Sequence, residues 1–190
     1  SHVYFRSGAL QDLAAVTQRA ESVGAYVVGD GYQAVGTVPV DVQKLGVHFY
    51  VGGSHKWLCG GPGAGFLYVR PDLIGQLRPR LTGWFGLQSP FSYEPGSEPT
   101  PADGVRRFLG GTPNVPGLYA AREGIGIVRE IGVGAIREYS KQLTSAIVDA
   151  ADARGLSVRT PRDPEARSGM VCVDFEGSEA ISKALIGRGI

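Results

Sequence analysis

Tyr26-Val27-Val28-Gly29-Asp30-Gly31-Tyr32-Gln33, followed by Val47-His48-Phe49-Tyr50-Val51-Gly52-Gly53-Ser54-His55-Lys56, decides the fold. Each is a β-branched and aromatic run that stops abruptly at polar groups, Asp30 in the first and Ser54-His55-Lys56 in the second. Neighbouring parallel strands present reactive side chains in this way at their carboxyl ends, where open α/β sheets bind ligands. An acid and an amine then face one crevice.

An amine able to form an imine, held near a carboxylate, is what pyridoxal phosphate chemistry asks of a protein. The lysine carries the cofactor as a Schiff base, and the acid keeps the pyridine nitrogen protonated so that the ring can draw electrons from the substrate α-carbon. Residue types alone leave two plainer readings open: a solvated lysine at a strand end, and an Asp-Gly turn.

The surrounding motifs narrow the choice. Asp30-Gly31-Tyr32-Gln33-Ala34-Val35-Gly36, Pro39-Val40-Asp41, Gly46-Val47-His48-Phe49, Ser54-His55-Lys56-Trp57-Leu58 and Gly61-Pro62-Gly63-Ala64-Gly65-Phe66-Leu67-Tyr68 occur in that order. Together they resemble the central signature of class V aminotransferase-family enzymes, which have the fold-type I α/β architecture and use pyridoxal 5'-phosphate. The resemblance implies that residues 1–131 are the carboxyl-terminal half of the cofactor-binding large domain, with a mostly parallel sheet. Residues 132–190 are then an incomplete small α/β domain.

By the same resemblance Lys56 is the Schiff-base lysine and the base that moves protons at the α-carbon, a task that needs a partly deprotonated amine, which burial and nearby positive charge favour. Asp30 serves the ring nitrogen, Gln33 the phenolic oxygen, and Ser54 and His55 the phosphate as hydroxyl and imidazole donors. Gly83-Trp84-Phe85-Gly86, with residues 104–113 downstream, is most similar to kynureninase-type members. There the aromatic, here Trp84, lines the substrate pocket, and the Gly111-Thr112 element reaches the phosphate of a neighbouring subunit's cofactor, which implies a homodimer with its active site at the subunit interface. Two positions depart from typical kynureninases, which carry His where this chain has Gln33 and Tyr where it has His55. The expected substrate is an amino acid, with Cβ–Cγ hydrolysis the leading reaction. An aminotransferase, cysteine desulfurase or epimerase of the same family, or a non-catalytic α/β fragment, are the alternatives.

Composition agrees with a globular protein. Hydrophobic residues make up 43% of the 190, enough for a sizeable core, and 19 Lys plus Arg against 18 Asp plus Glu leave no basic surface for nucleic acid or acidic membrane. The two cysteines, Cys59 and Cys172, lack metal-ligand spacing and fit a reduced, cytoplasmic setting better than a disulfide scaffold. Cys172, inside the apolar alternation of residues 170–175, reads as core and not as a desulfurase nucleophile. No apolar run is long enough to span a bilayer, and no metal site is expected.

In chain order, residues 1–5 alternate like a strand, and by the resemblance they lie deep inside the large domain, which makes the 190 residues an interior fragment of a longer enzyme. Residues 11–23 read as a helix packed through Leu13, Val16, Ala20 and Val23, closed by Gly24. A strand over 25–29 delivers Asp30, a helical turn over 42–45 ends at Gly46, and a strand over 47–52 delivers Lys56. Residues 60–65 (GGPGAG) match neither a dinucleotide loop nor a Walker A loop and precede a strand over 66–69; they are expected to let backbone pass beneath the lysine. Residues 70–101 are irregular, carrying Trp84, Phe85, Phe91 and Tyr93, and such segments are often functional. Helices are expected over 116–130 and 134–153, the second with a stripe of Ile136, Leu143, Ile147 and Ala151. Strands follow over 156–158 and 170–175, then a helix over 178–187.

Overall fold

The computed structural model describes residues 1–92 and 98–190, so the expectation on Tyr93 lies outside the described residues. Strands β1 (Val28–Asp30), β2 (Phe49–Gly53) and β3 (Gly65–Val69) form one sheet in that order. β1 and β2 are parallel, with Val28 opposite Phe49 and Asp30 opposite Val51, as the two apolar runs require. β3 returns antiparallel, with Phe49 opposite Val69 and Gly53 opposite Gly65. Within this chain the sheet is therefore mixed. Residues 54–64 are too few to carry a helical crossover, so the chain has to turn straight back.

Helix α1 (Leu13–Glu21) is capped by Asp12, whose carboxylate accepts from Ala15 N–H. Its buried face is Leu13 and Thr17, whereas Val16 and Val23 are exposed. Leu13 and Ala20 pack on the core as the spacing implied; Thr17 joins them in place of Val16 because it satisfies its hydroxyl on the Leu13 carbonyl, at 2.7 Å, and so packs inward like a small apolar residue. Helix α2 (Val42–Leu45) has Asp41 as its amino-terminal cap and Gly46, at φ 66°, as its left-handed stop. The core of this half joins Leu13, Val27, Val47 and Tyr50, with Val3, Ala34 and Val38 beside them.

Residues 1–5 do not form a strand. Only Val3 makes a bridge, to Leu10, because the segment turns back on itself: Tyr4 N–H bonds the Ala9 carbonyl and Gln11 N–H that of His2. His2 N–H is left to bond the Asp30 carbonyl at 2.8 Å.

After the short helix α3 (Pro71–Ile74), the irregular segment and two 3-10 turns, α4 (Val115–Ile131) and α5 (Val133–Asp152) are separated at Gly132, whose φ of 86° breaks the helical path. Strands β4 (Ser157–Val158) and β5 (Val173–Asp174) pair antiparallel, and α6 (Ser178–Gly187) follows. The buried face of α5 is Arg137, Thr144, Val148 and Ala151, while Leu143 and Ile147 stand half exposed. Again a polar network decided the rotation. Arg137 donates to the carbonyls of Arg167 and Pro164, and buried Arg167 donates to Thr144 Oγ1 and to the carbonyls of Pro161 and Arg162. Donors satisfied in this way can be buried where apolar periodicity points elsewhere.

The corner after β1 is filled to its limit. A Cβ on Gly31 would stand 2.2 Å from Tyr50 Cε1, and Tyr50 is 1% exposed and unable to withdraw. Gly31→Ala should cost about 2–3 kcal/mol through overpacking, read as a lower denaturant midpoint. Gly75→Ala, with open space around it and an ordinary φ of −74°, should leave that midpoint nearly unchanged.

Candidate active site

Asp30 is the last residue of β1, and Ser54, His55 and Lys56 follow directly on β2, so the parallel pairing brings them to one end of the sheet. Asp30 Oδ1 accepts Tyr32 N–H at 3.0 Å, an Asx turn that sends the chain over the strand ends. Among the described residues Oδ2 has only a long 3.4 Å contact from Ser1 Oγ, leaving it able to accept from a further donor.

Lys56 lies in the turn beyond β2 and is exposed; the expected burial is not supplied by this chain, since the turn carries the side chain past the sheet edge. Its Nζ stands 5.4 Å from the centroid of the Tyr32 ring. Of the four lysines in the sequence, the other three have carboxylate partners: Lys44 with Asp41, Lys141 with Glu138 and Glu165, and Lys183 with Glu179. The Lys141 ammonium is held above its usual range by hydrogen bonds to Glu138 and Glu165. Lys56 alone, among the described residues, has no such partner.

Gln33 accepts from Trp57 Nε1 at 3.1 Å through Oε1, which fixes the amide and leaves its NH2 as the unused end. Ser54 is buried, and its hydroxyl already lies between the carbonyls of Gly61 and Ala64, at 2.8 and 3.2 Å. To donate to a phosphate it would have to give these up. His55 is exposed, beside the Tyr32 ring at 5.5 Å, and makes no hydrogen bond among the described residues. The glycine-rich loop packs on Ser54 and α4: a Cβ on Gly60 would meet Ser54 Cβ and Ala121 Cα, both at 2.7 Å.

Trp84 sits in a separate segment, edge to face with Phe85 and Phe91 at 5.5 and 5.6 Å. Thr112 is exposed in the bend that precedes α4. Neither belongs to the sheet-end cluster.

Four supporting residues escaped the sequence reading. Tyr32 packs between Gly53, Lys56 and His55; Trp57 orients Gln33; and Tyr50 with His2 forms a buried pair behind Asp30. Burial, and then the Asp30 charge, raise the Tyr50 phenol above its usual range, while burial lowers His2. Both directions describe a neutral phenol and a neutral imidazole sharing one hydrogen bond at 2.8 Å. The one available signal was the aromatic two places after Asp30.

The set fits the ring and aldehyde ends of pyridoxal phosphate. It offers a carboxylate oxygen for a pyridinium N–H, an unpaired amine for an aldehyde carbon and amide donors for a phenolate. For the phosphate it offers His55 alone without rearrangement. Among the described residues no cluster of His, Cys, Asp and Glu could hold a metal, and no helix is long and apolar enough to cross a membrane.

Comparison with known proteins agrees with this chemistry. The chain is 36% identical over 157 residues to an uncharacterized aminotransferase, YcbU, of Bacillus subtilis (strain 168), covering 83% of this chain and 41% of that protein. It is 31% identical over 195 aligned residues to kynureninase of Pseudomonas fluorescens, covering 100% and 46%. The apo structure of a cysteine desulfurase from Thermococcus onnurineus NA1 superposes with a TM-score of 0.88 at 26% identity, covering 100% of this chain and 47% of that one. The chain thus spans a little under half the length of the proteins it matches. The family described as Aminotransferase class-V, whose members use pyridoxal phosphate and share the fold-type I architecture, matches residues 1–190. This chain belongs to the class V aminotransferase family.

Proposed function

We propose that this chain carries the lysine-bearing half of a pyridoxal phosphate site acting on an amino acid, and that the reaction is kynureninase-like hydrolysis of a Cβ–Cγ bond. The observation that carries the site is the parallel register of β1 and β2, which sets Asp30 and the unpaired Lys56 at one end of the sheet. The likeness to kynureninase over the whole chain supports the reaction.

When bound, the cofactor supplies an electron sink for charge developing at the substrate α-carbon. Lys56 would hold the cofactor by its aldehyde end before substrate binds and, once the substrate amine has taken its place, the freed amine would move a proton at the substrate α-carbon. Asp30 holds a proton on the ring nitrogen, and Tyr50 and His2 brace it from behind. Gln33, oriented by Trp57, donates to the phenolic oxygen. His55 donates to the phosphate, joined by Ser54 once its hydroxyl leaves Gly61 and Ala64. Trp84 lines the substrate pocket, and Thr112, exposed ahead of α4, serves the phosphate of a second copy in a homodimer. We divide the chain at residues 131 and 132, the kink at Gly132, into large-domain and small-domain parts. With both cysteines free, we place the protein in the cytoplasm.

A cysteine desulfurase is the second reading, favoured by the superposition on the Thermococcus enzyme. Product analysis of the full-length protein separates the two. L-kynurenine should yield anthranilate and alanine. Alanine and sulfane sulfur from cysteine, with kynurenine untouched, would replace the first reading with the second.

A further inference from the structure

His48 lies outside the site, 3% exposed, immediately before β2. Its Nδ1 accepts the backbone N–H of Val27 at 3.0 Å, and the Val27 carbonyl in turn accepts Phe49 N–H at 3.1 Å. Val27 leads into β1, a strand of only three residues whose last is Asp30. An imidazole nitrogen accepts a hydrogen bond only without its own proton, so the neutral ring carries its proton on Nε2. Nε2 faces Glu21 Oε1 of α1 at 3.6 Å.

We propose that neutral His48 is a positioning residue for Asp30: by accepting Val27 N–H it fixes the entry of β1, and so the place of Asp30 opposite Val51 at the end of β2. The ring is built into this position. Arg70 N–H bonds the His48 carbonyl at 2.8 Å, and the Tyr26 ring meets the imidazole edge to face at 5.1 Å.

The titratable and charged groups facing His48 are Glu21 of α1, Tyr26 at the entry to β1, Arg70 after β3 and Asp72 of α3. Arg70 grips the same Glu21 oxygen at 2.6 Å and holds Asp72 through two bonds, at 2.8 and 3.1 Å. Glu21 is therefore already committed to Arg70 and stands at the longer distance from Nε2. A side chain at position 48 that offers Val27 N–H no acceptor leaves that donor buried without a partner, so the entry of β1 should loosen.

The connection to the cofactor rests on the Asp30 assignment proposed above; the effect on the strand does not. Hydrogen exchange of the intact, cofactor-loaded protein tests both, followed by mass spectrometry on residues 25–31. His48→Phe should lose protection there about tenfold, while residues 65–69 of β3 stay protected. His48→Asn, whose Oδ1 can accept from Val27, should stay protected like the wild type. The dissociation constant of pyridoxal phosphate should rise in His48→Phe and not in His48→Asn. Equal protection of residues 25–31 in His48→Phe and the wild type, a loss shared equally by β3, or a His48→Asn variant that falls like His48→Phe would each overturn the proposal. Protection that changes as expected while cofactor affinity does not would uphold the strand role and refute the Asp30 assignment.

Discussion

Lys56→Ala should abolish every pyridoxal adduct that borohydride can trap and lower kcat/KM on the order of 10^4-fold, about 5.4 kcal/mol in barrier. The size of the effect follows from the lack of a substitute. The amines of Lys44, Lys141 and Lys183 are paired with carboxylates, Asp41, Glu138 with Glu165, and Glu179, and all three lysines lie on helices away from the end of the sheet. The fold should be indifferent to the change. Lys56 is exposed, and its visible contact is the one over the Tyr32 ring, so stability should move by no more than roughly 0.5–1 kcal/mol. Intact mass after reduction, beside a denaturation curve, makes the check. An adduct of unchanged yield in the variant would remove Lys56 from its assigned role.

Asp30→Asn should reduce kcat/KM on the order of a thousandfold while the protein stays folded, a loss within the range measured for proton-handling side chains. The amide keeps an oxygen where Oδ1 accepts Tyr32 N–H, so the turn over the strand ends should survive. What it lacks is the negative charge at Oδ2, the atom in long contact with Ser1. Without that charge a proton on the ring nitrogen is no longer favoured, and the electron sink weakens. Steady-state kinetics together with a cofactor titration decide the matter. A variant within threefold of wild type would show that the charge of Asp30 is not used.

The strands and their polar ends were legible because the signal is local: β-branched runs stop at Asp30 and at Ser54, and the structure sets them side by side in parallel. Helix starts were equally local, with Asp12, Asp41 and Asn114 each accepting from its own first turn. So was the break at Gly132, whose backbone conformation suits a residue without a side chain. Helix faces were legible only in part: Leu13, Ala20 and Ala151 pack inward as the spacing implied. Thr17, Arg137 and Thr144 are buried, while Val16, Leu143 and Ile147 are left partly exposed. A period of 3.6 tells which residues share a stripe; it does not tell which stripe meets a partner when hydrogen bonds from distant residues satisfy the polar one.

The candidate site divides along the same line. The sequence by itself determined the candidate reactive groups, Asp30 and Lys56, and their order on adjacent strands, because residue type and strand periodicity are local properties. Only the tertiary structure decided which groups remain available. It engages Ser54 with Gly61 and Ala64, ties Gln33 to Trp57, and sets Tyr32 beneath an exposed Lys56. It also keeps carboxylates away from that one lysine among the described residues, and binds His48 to Val27 across 21 residues of chain. These are contacts between segments remote in sequence, and their geometry exists only once the core of Leu13, Val27, Val47 and Tyr50 has closed.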